Sequence, residues 1–209
     1  MKKKKLLLIA LLLVGAASSF AAKVDTLLVN SPSMNKDVQV VVVTPDAALG
    51  KKAVACPVIY LLHGYGGNAK TWIGVKPDLP QIADEKGIIF VCPDGKNSWY
   101  WDSPKDPSYR YETFVSSELV KYIDGHYKTI ADRKGRAITG LSMGGHGAMW
   151  NAIRHKDTFG AGGSTSGGVD IRPFPLNWDM SKQLGEFAYN KKVWDEHTVI
   201  NQIDKLENG

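Results

Sequence analysis

Ser142 stands in "GLSMG", residues 140–144, a Gly-x-Ser-x-Gly pattern that closes the apolar run "RAITG". A serine hydroxyl attacks acyl carbon when a base removes its proton and preset donors receive the charge that develops on the carbonyl oxygen. A sharp strand-to-helix turn suits this chemistry, because it holds the oxygen clear of the sheet while the next helix aims its positive end at it. Gly140 and Gly144 have no Cβ to collide in such a turn, and Gly145, Gly147 and Ala148 let the helix pack close. A second stretch, "YLLHGYGG" (60–67), ends another apolar run with His63-Gly64 and two more glycines. A loop there can present a backbone N–H to an oxyanion, and the expected donor pair is the amides of Tyr65 and Met143. His63 reads as a hydrogen-bonding prop of this loop and is also carried as a candidate substrate contact.

The elements that must position these groups follow from hydrophobic pattern. "VDTLLVN" (24–30) and "VQVVVVTP" (38–45) predict an opening pair of strands. "PVIYLL" (57–62), "GIIFVC" (87–92) and "RAITG" (136–140) are short, apolar and bounded by Gly or Pro, as strands covered on both faces are. Between them "LPQIADEKG" (79–87) predicts a short helix ended by Gly87. "YETFVSSELVKYIDGHY" (111–127) predicts a longer one, with Val115, Leu119, Tyr122 and Ile123 on one face. Strands alternating with crossover helices imply an α/β fold: a mostly parallel sheet with helices on both faces. Residues 22–209 read as a single domain. Cys56 opens one predicted strand and Cys92 closes another, so parallel pairing puts them at opposite ends and predicts free thiols.

The first 21 residues read differently. Lys2 to Lys5, the apolar block Leu6 to Val14 and the small residues near Ala21 make a secretory signal peptide whose core is too short to span a bilayer. The whole chain has 26 basic against 21 acidic residues, and removing those four lysines leaves 22 against 21. Such a balance gives no clustered cationic surface for nucleic acid. The expectation is a periplasmic or secreted protein, with no nucleic-acid partner and no membrane association after cleavage.

Together "PVIYLLHGYGG", "VCPDG", "NSWYWDSP", "YETFVSSELVKYID" and "RAITGLSMGGHGA", spread over residues 38–167, resemble the esterase D group of the α/β-hydrolases. That group includes S-formylglutathione hydrolases, feruloyl and acetyl xylan esterases, and mycolyltransferases. The resemblance implies an α/β-hydrolase sheet and a serine carboxylesterase acting on acetyl or feruloyl esters of polysaccharides. Ser142 would be its nucleophile, Tyr65 and Met143 its oxyanion donors. It implies no cofactor, and no His and carboxylate cluster shows metal-ligand spacing. "NSWYWDSPKDPSYRYE" (97–112) is a candidate substrate loop in which Trp99, Tyr100 and Trp101 stack on a sugar or phenolic acyl group, or else pin the loop to the body. Glu112 reads as a structural acid.

One departure stands out. In the family the acid and His follow the serine on loops after two further strands, and no such strands are evident after "TFGAGGSTSG" (158–167). The expectation is a sheet whose C-terminal strands are missing, with the triad acid and base beyond residue 209. An incomplete chain of this kind would have little turnover and an edge prone to association. His126, His146, His155 and His197 are not expected to serve as base, nor Asp170 or Asp179 as triad acid. Two alternatives remain: a non-catalytic carbohydrate-binding or scaffolding protein, and an acyltransferase.

Overall fold

The computed structural model describes residues 22–206, and the expected signal peptide, 1–21, lies outside the described residues. Runs of β-branched residues become strands. β1 (Lys23–Ser31) and β2 (Lys36–Thr44) form an antiparallel hairpin with Lys23 opposite Thr44 and Ser31 opposite Lys36. β3 (Val58–Leu62), β4 (Ile89–Pro93), β5 (Arg136–Gly140) and the two-residue β6 (Ala161–Gly162) complete a sheet in the order β1-β2-β4-β3-β5-β6. β2 meets β4 antiparallel, while β4 with β3, β3 with β5 and β5 with β6 run parallel, so the sheet is mostly parallel as expected.

Burial of both faces explains the unbroken apolar runs. Val40 to Val43 of β2 are all inaccessible to solvent, yet they divide between two cores. Val40 and Val42 pack with Tyr60, Leu62, Val91 and Ile138, whereas Val41 and Val43 pack with Leu61, Phe90 and Cys92. Side chains alternate across a strand, so the two cores lie on opposite faces. Each fully buried aliphatic side chain contributes roughly 1.5–3 kcal/mol. α1 (Thr71–Val75) and α2 (Leu79–Lys86) cover one core with Trp72, Leu79 and Ala83. Gly87 ends α2 in the left-handed conformation, φ 63°, the geometry that favours glycine there.

The other core is covered by α3 (Tyr111–Thr113), a π turn (Phe114–Glu118) and α4 (Leu119–His126), together with α5 (Met143–Arg154). The sequence predicts an uninterrupted helix over 111–127; the structure widens its second turn. There Ser116 Oγ donates to the Glu112 carbonyl at 2.7 Å, and Glu118 accepts from Ser31 Oγ (2.6 Å) and Ser33 N (2.8 Å), tying the helix to the β1–β2 turn.

Cys56 and Cys92 are free, and the register that sets Val58 against Ile89 leaves them at opposite ends of β3 and β4. The segment expected as strand-like, 158–167, forms a strand only at Ala161 and Gly162, where successive glycines bring no side chain to either face, and makes one further parallel bridge, Thr165 with Leu141. After an irregular stretch come α6 (Met180–Leu184), α7 (Lys191–Glu196) and a 3-10 run, Val199–Lys205. Trp194 anchors this end: its ring is buried and its Nε1 donates to Gly185 O at 2.8 Å.

Candidate active site

β5 ends at Gly140, α5 begins at Met143, and Ser142 joins them at φ 55°, ψ −117°, a conformation almost confined to glycine. Such a residue costs about 1–3 kcal/mol and persists only where its surroundings over-determine it. Here Ser142 N donates to Thr165 O at 2.8 Å, Leu141 N to Leu62 O at 3.2 Å, and His146 N to Ser142 O at 3.0 Å. The flanking glycines are required by contact. A Cβ on Gly140 would stand 2.2 Å from the Gly144 carbonyl oxygen, and one on Gly144 2.2 Å from that of Leu62.

The loop after β3 lies beside this turn: a Cβ on Gly64 would meet the Leu141 carbonyl oxygen at 3.3 Å and Ser142 Cβ at 3.5 Å. Among the described residues, the amides of Tyr65 and Met143 donate no hydrogen bond, while their neighbours are engaged. Gly66 N donates to Asn97 Oδ1 at 2.9 Å, Gly67 N to Gly64 O at 3.0 Å, and Gly144 N to Leu141 O at 2.8 Å. His63 holds the loop from beneath. Gly95 N donates to its Nε2 at 2.9 Å, which leaves the proton on Nδ1 to donate to Gly64 O at 2.7 Å.

A cavity of about 110 Å³ opens over Ser142, walled by Tyr65, Trp99, Phe174, Trp178 and Met180. Trp99 thus reaches the cavity as a candidate contact. His63 and Trp101 do not: at 1% and 0% exposure they are absent from its lining, and Trp101 stacks behind Trp99 with ring centroids 5.6 Å apart. For both, the expected substrate contact gives way to packing. Tyr100 between them has φ 60°, and its buried ring fills the space over two glycines, where a Cβ on Gly95 or Gly147 would fall 2.3 or 2.4 Å from it. Its hydroxyl donates to His63 O at 3.2 Å.

None of the five histidines lines this cavity. His126 Nδ1 lies 2.8 Å from Tyr122 O, and His197 Nδ1 2.7 Å from Val193 O. His155 Nε2 lies 2.8 Å from Glu112 Oε1. His146 is buried among Trp99, Trp101 and Trp150, with Nδ1 2.7 Å from Gly168 O; burial pushes its pKa down to about 4. Burial alone would raise the Glu112 pKa, but hydrogen bonds from His155, Arg154 and Trp150 hold it at about 2, as befits a structural acid. Asp170 does line the cavity, yet both its oxygens accept from Arg172 at 2.8 Å. A larger groove of about 600 Å³ runs along Glu112, Trp150, Arg154 and His197 and shares no lining residue with the Ser142 cavity. Among the described residues no group of His, Cys, Asp or Glu is placed to hold a metal.

Two contributors have roles the sequence does not anticipate, Asp179 having been weighed only as a triad acid. Trp178 and Asp179 cross to the Ser142 side: Tyr65 Oη donates to Asp179 Oδ2 at 2.7 Å, and Trp99 Nε1 to Trp178 O at 3.2 Å. Only contacts between residues 114 and 79 apart in sequence reveal them.

The MPT51/MPB51 antigen of Mycobacterium tuberculosis strain H37Rv is 35% identical over 150 residues, covering 70% of this chain and 46% of the antigen. An acetyl esterase of Caldicellulosiruptor saccharolyticus is 31% identical over 149 residues, 70% of this chain and 55% of that protein. Among solved structures, a ferulic acid esterase superposes with a TM-score of 0.72 at 29% identity, covering 90% of this chain and 74% of the other. The chain spans 37% to 63% of the length of the curated relatives it matches. The six-stranded sheet is that of the α/β-hydrolase esterases, and with residues 31–207 matching the family model, the chain belongs to the Esterase family.

Proposed function

We propose that the protein is an exported serine esterase in which Ser142 is the nucleophile and the amides of Tyr65 and Met143 receive the oxyanion. Ser142 Oγ attacks the ester carbonyl as its proton is given up, the carbonyl oxygen takes the negative charge and accepts from the two amides, and the C–O bond breaks with that proton passing to the leaving oxygen, so that an alcohol departs. Water then releases the acid from the acyl-serine. The substrates are acyl esters on polysaccharide, entering past Trp99, with acetyl and feruloyl as the two candidate acyl groups. What carries this reading is Ser142 itself, held at φ 55° in a cavity beside two amides that donate to no other group among the described residues. Export rests on the composition of residues 1–21.

The test is p-nitrophenyl acetate turnover by the chain and by Ser142→Ala. Turnover that is lost in the variant supports the assignment, and equal measurable rates in both overturn it. A second reading is favoured by one observation: none of the five histidines lines the cavity to take the Oγ proton. In that reading the protein binds carbohydrate without cleaving it, and binding that survives Ser142→Ala with no ester cleavage identifies it. Transfer of the acyl group to an added sugar hydroxyl marks the acyltransferase variant of the same chemistry.

A further inference from the structure

Resting on Ser142 as nucleophile, we propose that the strap Phe174 to Met180 fixes the acyl group this site accepts. It restricts the site to short acyl groups of about two to four carbons and excludes feruloyl, with Trp178 setting the limit. A cavity of about 110 Å³ holds about four groups of water size, at about 30 Å³ each, whereas pockets for drug-sized ligands start at about 300 Å³. An acetyl or butyryl chain fits. A feruloyl group, with about thirteen non-hydrogen atoms, needs roughly three times that space.

The wall that imposes the limit is held from outside itself. Trp178 and Asp179 are consecutive non-glycine residues at φ 49° and 55°, a left-handed pair that an aspartate tolerates but a bulky tryptophan does not favour. The tertiary pins on them are few. Tyr65 Oη donates to Asp179 Oδ2 at 2.7 Å, Lys182 Nζ stands 3.0 Å from Asp179 Oδ1, and Trp99 Nε1 donates to the Trp178 carbonyl at 3.2 Å. The Trp178 ring leans on Phe174, centroids 5.5 Å apart, and on Trp99 at 6.2 Å. Its outer side is open, for Trp178 is 43% exposed and Leu176 95%. Tyr65 therefore acts twice: its amide faces the oxyanion, and its hydroxyl latches the strap that bounds the acyl chain. Removing the Trp178 ring enlarges the cavity directly, and removing the Asp179 charge loosens the latch.

The experiment compares kcat/KM for p-nitrophenyl acetate, p-nitrophenyl butyrate and p-nitrophenyl ferulate in the wild-type chain, Trp178→Ala and Asp179→Asn, with Ser142→Ala as control. Wild type should favour acetate over ferulate by about 100-fold or more, Trp178→Ala should narrow that ratio by about tenfold, and Asp179→Asn should narrow it less. Wild-type ferulate cleavage equal to acetate, or variants that change every ester alike, would overturn the proposal. If no ester shows Ser142-dependent turnover, the nucleophile assignment fails separately, and the size limit is then read from ligand binding. Titrated by tryptophan fluorescence, butyrate should quench the wild-type chain at concentrations where ferulate does so only in Trp178→Ala. Equal ferulate binding by both chains would sink the size limit.

Discussion

Replacing Glu112 by glutamine tests the network that joins α3 to α5. The carboxylate accepts from Trp150 Nε1 at 2.8 Å, Arg154 Nε at 2.7 Å and His155 Nε2 at 2.8 Å. Its folded pKa of about 2 stands against 4.5 when free. A carboxyl group whose pKa falls on folding stabilises the fold fully above its unfolded value, and that contribution drains away as the pH drops through the folded value. From 4.5 to about 2, the difference is worth about 3 kcal/mol at pH 7. Glutamine keeps one acceptor oxygen but turns an NH₂ toward groups that are themselves donors, so it loses the charge and leaves a donor unmet. Urea unfolding followed by tryptophan fluorescence should show Glu112→Gln less stable by about 3 kcal/mol at pH 7, with the gap narrowing by about 2 kcal/mol at pH 3. Other acids titrate in both chains and cancel in the difference. A gap below about 1 kcal/mol at pH 7, or one that stays constant down to pH 3, would refute the assignment of Glu112 as a carboxylate held ionised by its three donors.

Three further outcomes are expected. Ser142→Gly should be more stable than Ser142→Ala by about 1–2 kcal/mol in thermal melts, because only glycine relaxes at φ 55°; equal melts would mean the turn is unstrained. Gly144→Ala should cost about 1–3 kcal/mol as its Cβ meets the Leu62 carbonyl, whereas Gly125→Ala, with open space around it inside α4, should gain about 0.5–1 kcal/mol; denaturant midpoints that fail to move in opposite directions would contradict this. The His146 ring, its pKa lowered to about 4 by burial, should show no NMR titration above pH 6, and the stability tied to its neutral form should be complete above 6.5 and fade as the pH falls toward 4; a midpoint near 6.5 would place the ring in water.

The strands β1 to β5 were legible because each is either a β-branched run buried on both faces or bounded by Gly or Pro, as "VQVVVVTP" and "PVIYLL" show. The turn at Ser142 was legible for a related reason: glycine spacing reports where backbones approach, and the 2.2 Å clearances at Gly140 and Gly144 are what that spacing anticipates. The π turn was not, since Phe114 to Glu118 keep good helical spacing and the contact of Ser33 N with Glu118 joins residues 85 apart in sequence. Trp101 looked like its neighbour Trp99, and nothing local distinguishes the ring that faces the cavity from the one behind it. His63 was anticipated as a prop, but its partner Gly95 lies on another strand's loop, so its burial could not be read from "LLHGYGG". The strap was hidden for the same reason, its hold on the site being a single phenol and a single indole from distant segments.

The ring of Tyr100, seated over Gly95 and Gly147, ties three distant positions into one unit of heredity. None of the three can drift alone: a methyl at either glycine collides with the ring, and a smaller residue at 100 leaves a void beneath the helix that starts at the serine. Descendants of this sequence should therefore change these positions jointly or keep all three, and a lineage with alanine at 147 should also have surrendered the tyrosine.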